Sequence, residues 1–271
     1  MRPIRIASAI AIVIAAALAA LSAPARAAPA ELMGVGSPDF VILSPDGTSR
    51  IGHTHYSIIR RAGALILRGE NRFESGQYDV ETSRLIPSGD GGMPTLVDFN
   101  HMFYSAEGTV ILEAHADLRT GLASCIDRRS GAPQLAAAPI EFPLNTWAGA
   151  SVILPIQRFL RDGGHGKLSV NVFNCAPSPK VLAVEVTPDP APMRLPDYLP
   201  GAVEIDAKPD FGWLDFIVSP FVPKLHAWFD PGRDFEFVGA RLARYYGGPE
   251  ILMVTARASA PEPRSQPTAS R

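Results

Sequence analysis

The sequence predicts a mainly β fold of the α+β type, a curved antiparallel sheet or half-barrel with one largely buried, proline-interrupted helix near residues 146–161. Three observations lead there. Apolar and polar residues alternate in short runs, the period of a strand with one face in a core. The 23 Gly and 26 Pro punctuate those runs with turn chemistry. A single stretch, residues 147–161, is long and apolar on most sides, as a helix inside or across a curved sheet would be.

The strand signal is clearest at residues 109–118, where Val110, Leu112, Ala114, Ala116 and Leu118 alternate with Thr109, Ile111, Glu113, His115 and Asp117. Shorter runs of the same kind lie at 39–43, 51–59, 64–68, 77–85, 96–104 and 122–126. The separators between them, such as Ser44-Pro45-Asp46-Gly47 and Arg61-Ala62-Gly63, hold the residues that turns require. Consecutive strands with short turns make an antiparallel meander. Asn145 or Thr146 would cap the helix and Asp162-Gly163-Gly164 would stop it, while Pro155 would kink it or split it in two. Strands resume at 167–174 and 181–187, then at 202–207, 213–218, 225–229, 235–245 and 251–255.

The ends of the chain are of a different kind. Met1-Arg2-Pro3-Ile4-Arg5, an apolar run from Ile6 to Leu21 and Ala25-Arg26-Ala27 together read as a cleaved secretory signal, residues 1–27. The run is short for a membrane span, so no spanning segment is expected after cleavage. Removing it with its three Arg leaves 244 residues with 22 basic and 27 acidic groups, a net charge of -5. That mildly acidic balance speaks against a dedicated nucleic-acid binder. Residues 28–255 are expected to form one β-rich domain, with a possible sub-boundary in the proline-rich stretch 188–200, followed by a disordered tail over 256–271.

Few residues suggest chemistry. His53 and His55, two apart on a strand, project from one face as two imidazole ligands would, and His115 with Glu113, or His101 from a neighbouring strand, would complete a divalent-metal site. The alternative is a set of exposed strand histidines, and no cofactor is the default expectation. Cys125 and Cys175 each end a predicted strand; in an oxidising compartment they are able to form one disulfide if those ends meet. Ten of the 22 aromatic residues fall within residues 211–246. They are either ordinary core or the lining of an apolar groove, for which Trp147, Trp213, Phe216, Trp228 and Phe229 are the candidates.

Gly47, followed by His53-Thr54-His55, resembles the opening of a cupin first motif, but the positions for that family's acidic ligand hold Ile59 and Arg60. The order signal, antiparallel strands, one apolar helix, more strands, with phrases such as Asn174-Cys175-Ala176-Pro177, resembles uncharacterised exported bacterial β-proteins similar to periplasmic lipoprotein-carrier half-barrels. That resemblance implies a non-enzymatic periplasmic or extracellular protein binding a hydrophobic small molecule or lipid. A metal-dependent cupin-like enzyme and a structural accessory subunit of an envelope complex are the alternatives.

Overall fold

The computed structural model describes residues 39–131, 133–175, 178–189, 199, 201–210, 225–245 and 248–256. The first strands are β1 (Asp39–Leu43), β2 (Arg50–Arg61), β3 (Ala64–Phe73), β4 (Tyr78–Ile86) and β5 (Thr95–Tyr104). They are followed by β6 (Val110–Asp117), β7 (Leu122–Asp127), β8 (Gln134–Pro139) and the two-residue β9 (Thr146–Trp147). After one helical segment come β10 (Leu168–Cys175), β11 (Pro179–Pro188), β12 (Val203–Pro209), β13 (Leu225–Asp230), β14 (Glu236–Ala243) and β15 (Glu250–Thr255). The expected signal, the 213–218 strand with Trp213 and Phe216, and the tail beyond Ala256 lie outside the described residues.

All fifteen belong to one sheet, ordered β8-β7-β6-β5-β4-β3-β2-β1-β15-β14-β13-β12-β11-β10-β9. Pairing is antiparallel throughout except for β9 beside β10. β1 and β15 lie in the middle of this order, and their runs Phe40-Val41-Ile42-Leu43 and Ile251-Leu252-Met253-Val254 are apolar without alternation. Both faces of these strands are covered, and a continuous hydrophobic run is what that burial selects. β11 and β12 pair directly, Thr187 opposite Asp206, so the proline-rich stretch between them connects neighbours in one sheet.

The sheet curls until its two ends overlap without joining by a hydrogen-bonded ladder. Cys125 on β7 and Cys175 on β10, each one strand in from an end, form the disulfide, with their Cα atoms 5.6 Å apart. Phe99 on β5 meets Phe173 on β10 edge to face at 6.1 Å, reinforcing the same closure. The result is a barrel-like body with an apolar interior that includes Phe40, Leu67, Leu96, Phe229 and Ile205, all less than 5% exposed.

The helical segment lies within that interior. It is divided, as Pro155 suggested, into a 3-10 turn at Gly149–Val152 and helix α1 at Ile153–Arg161. The break precedes the proline: Pro155 falls in the first turn of α1, where its missing N–H costs no hydrogen bond. The expected caps are not used. Thr146 joins β9 instead, and Ser151 forms the turn by accepting from the Ala148 N–H and donating to the Ala148 carbonyl. Gly164 ends the helix at φ +58°, its N–H reaching the Phe159 carbonyl at 2.9 Å. Ile153, Leu154, Ile156 and Leu160 face the barrel core, and Gln157, wholly buried, donates to the Phe235 carbonyl at 2.9 Å. Among the described residues no helix is long and apolar enough to cross a membrane.

Candidate functional site

One stripe of the barrel wall breaks the apolar rule. The inward positions of β4 are Asp79, Glu81 and Ser83, and register places Asn71 and Thr54 beside Asp79, and Gly69, Tyr56 and His101 beside Glu81. Hydrogen bonds connect them. Thr54 Oγ1 donates to Asn71 Oδ1 at 2.6 Å, Asn71 Nδ2 donates to Asp79 Oδ1 at 2.8 Å, and His101 Nε2 lies 3.0 Å from the same oxygen. Asp79 is only 2% exposed, so this pairing with His101 and Asn71 is what makes its burial tolerable.

Glu81 is held from the other side. Its Oε1 accepts the Ala150 N–H at 2.6 Å, which docks the start of the helical segment onto the barrel wall. The approach is so close that a Cβ built on Gly149, whose φ is +51°, would run into both carboxylate oxygens of Glu81. Gly149→Ala is therefore expected to lower stability by about 2 kcal/mol, from backbone strain and displacement of this carboxylate. Urea unfolding of the variant beside the wild type would measure the loss.

The electrostatics follow from burial and neighbours. Burial raises Glu81 above the ordinary 4.5, against the His101 charge and the Ala150 N–H, which pull it down. For His101 burial disfavours the charged ring, but the hydrogen bond to Asp79 and the charges of Asp79 and Glu81 outweigh it, and the pKa stands above 6.5. Burial, then the charges of Glu81 and Asp79, keep the Tyr56 phenol neutral, well above 10.0. Arg244, pulled down by burial and supported by Asp79, lies over the Phe73 ring at 3.3 Å and donates to Gln77 Oε1 at 3.0 Å.

His101 and Glu81 lie deep in the barrel yet keep part of their surface accessible, 29% of the His101 side chain. Phe99 stands beside His101, 6.4 Å between ring centres. No hydroxyl is paired with this histidine among the described residues. Ser151 Oγ bonds the Ala148 backbone, and Ser83 Oγ, fully buried, has no hydrogen-bond partner among them. The nucleophile–base contact that covalent hydrolysis needs is not among the contacts of this cluster.

The residues singled out from the sequence are placed differently. His53 and His55 do share a face, the exposed outer face of β2, where His55 Nδ1 lies 2.7 Å from Asp39 Oδ1. His115 stands on β6 against Asp98 at 3.4 Å, and three strands, about 19 Å of sheet in four steps, separate it from the β2 pair. The structure thus does not bring His53, His55 and His115 together, and Glu113 faces Arg128 at 3.8 Å. Trp147 and Phe229 are interior, 3% and 0% exposed; Trp228 points to the outer face, where it packs with Leu199, Val238, Leu252 and Val254. Sequence reading passed over Asp79, Glu81 and Asn71. Its available signal was Asp79-Val80-Glu81-Thr82-Ser83, a strand whose alternate positions are all polar.

No family model matches the chain, and no curated protein matches it. Among solved structures it is similar to the crystal structure of a beta-barrel-like protein, a domain of unknown function (DUF1849) from Brucella abortus, at 11% identity and a TM-score of 0.43, over 82% of this chain and 96% of that one.

Proposed function

We propose that the chain is an exported, non-enzymatic binding protein of the cell envelope, whose barrel interior receives a small, largely apolar molecule by a hydrogen-bonding head group. The observation that carries this reading is the accessible edge of His101 and Glu81 within an otherwise apolar interior. Pockets for apolar ligands commonly combine such a wall with a few fixed polar groups. Trp147, Phe99 and Phe173 supply the apolar side, while His101, held by Asp79, and Glu81, held by Ala150, supply directed polar contacts. The Cys125–Cys175 disulfide agrees with an oxidising compartment such as the periplasm or the extracellular space.

Native mass spectrometry of the purified chain, followed by organic extraction, tests the reading, with titration of a fluorescent long-chain fatty acid alongside. The expected result is an apolar organic ligand, retained or added, at one per chain, and weaker binding in His101→Gln. An empty chain that also ignores the probe would contradict the binding role. Turnover of an ester or phosphoester substrate that disappears in His101→Gln would contradict the non-enzymatic one.

A further inference from the structure

The outer face of the barrel carries a second group of ionisable residues, remote from the interior stripe. Glu204 and Asp206 are two apart on β12 and so share a face, opposite to that of the interior residues Ile205 and Ala207. Register sets His226 of β13 directly opposite Asp206, and Trp228 directly opposite Glu204. The sheet itself therefore gathers two carboxylates and an imidazole. His226 Nδ1 is 2.9 Å from Glu204 Oε1 and 2.9 Å from Asp206 Oδ1, and a ligand atom from each of the three lies within 4.8 Å of the others.

A web of hydrogen bonds accounts poorly for this arrangement. Nδ1 carries at most one proton and faces two carboxylate oxygens. Glu204 is 1% exposed, and its Oε2 has no hydrogen-bond partner among the described residues. Its cross-strand neighbour Trp228, 3% exposed, has an unpartnered indole Nε1. Arg241, opposite His226, reaches Glu250 at 3.4 Å. The spacing instead suits a metal. Ligands about 2.1 Å from a small cation and at right angles to one another are about 3.0 Å apart, close to the separations seen here.

We infer that Glu204, Asp206 and His226 form a binding site for a first-row divalent cation, with His226 ligating through an unprotonated Nδ1 and one oxygen from each carboxylate. Mixed carboxylate and imidazole donors favour zinc or manganese over calcium. The full mature chain, stripped with chelator and equilibrated with Zn²⁺ or Mn²⁺ in separate dialyses, is expected to take up one ion per chain from at least one of them. His226→Asn and Asp206→Asn should each weaken that uptake by more than about tenfold, and His53→Ala/His55→Ala should leave it unchanged. Pulsed electron paramagnetic resonance of the Mn²⁺-loaded wild type, which requires no variant to fold, should show one directly coordinated imidazole nitrogen. Absence of stoichiometric uptake of either ion, uptake that persists in both variants, or a manganese signal without nitrogen coupling would overturn the site.

Discussion

Replacing Cys125 and Cys175 together by alanine is expected to lower the stability of the folded chain by about 4 kcal/mol, because their bond closes a loop of 50 residues in the unfolded chain. The barrel has no hydrogen-bonded seam between β8 and β9, so this bond and the packing of Phe99 on Phe173 carry the closure. The loss should therefore be accompanied by loosening of β7, β8, β9 and β10 before the middle of the sheet. Guanidinium unfolding of the oxidised chain and of the double variant measures the first effect. Hydrogen exchange resolved by segment measures the second, with β1 and β15 keeping their protection.

Much of this architecture was legible in the sequence because the barrel wall obeys the period of two. Residues 109–118 gave β6, and Leu112, Ala114 and Ala116 do lie in register with the interior Phe103, His101 and Phe99. Legibility failed where the interior turns polar. The alternating run covers only 64–68; β3 continues to Phe73, where Gly69 accommodates the Tyr56 ring and Asn71 bonds Asp79. β8, Gln134-Leu135-Ala136-Ala137-Ala138-Pro139, contains no β-branched residue and only small or exposed ones, as an edge strand tolerates. β9 is not legible beside the helix because two residues held by β10 carry no period of their own.

The polar stripe was hidden for the same reason. Asp79, Glu81 and Ser83 at alternate positions of β4 look like the wet face of an ordinary strand, and only the closure of the sheet turns that face inward. His53 and His55 satisfy the local spacing rule, but strand order places His115 four positions away from them. Glu204, Asp206 and His226 lie on adjacent strands far apart in sequence, and no local motif announces them.

The second large effect is expected at Asp79. Asp79→Ala removes the acceptor of both Asn71 Nδ2 and His101 Nε2 in a place where Asp79 itself is 2% exposed. A histidine and an amide are then left without their partner, which costs about 3 kcal/mol or more when such a pair is buried. Asp79→Asn retains an oxygen to accept one bond and should lose less. His101→Gln removes the charge while keeping a donor, and should cost least at alkaline pH, where the wild-type ring has lost its proton.

The folded chain binds the His101 proton more tightly than the unfolded chain does, so the stability it confers is complete below the ordinary 6.5 and is lost as pH rises through the raised value. Glu81, also raised, acts in the same direction from about 4.5 upward: its burial increasingly opposes folding as the carboxyl ionises. Urea unfolding of the wild type and His101→Gln at pH 6 and at pH 8.5 reads whether a protonated His101 clamps the interior to Asp79. The wild type should be less stable at the higher pH and the variant should show a clearly smaller difference between the two. Equal pH dependence in both proteins, or a wild type that gains stability over this interval while the variant does not, would contradict it.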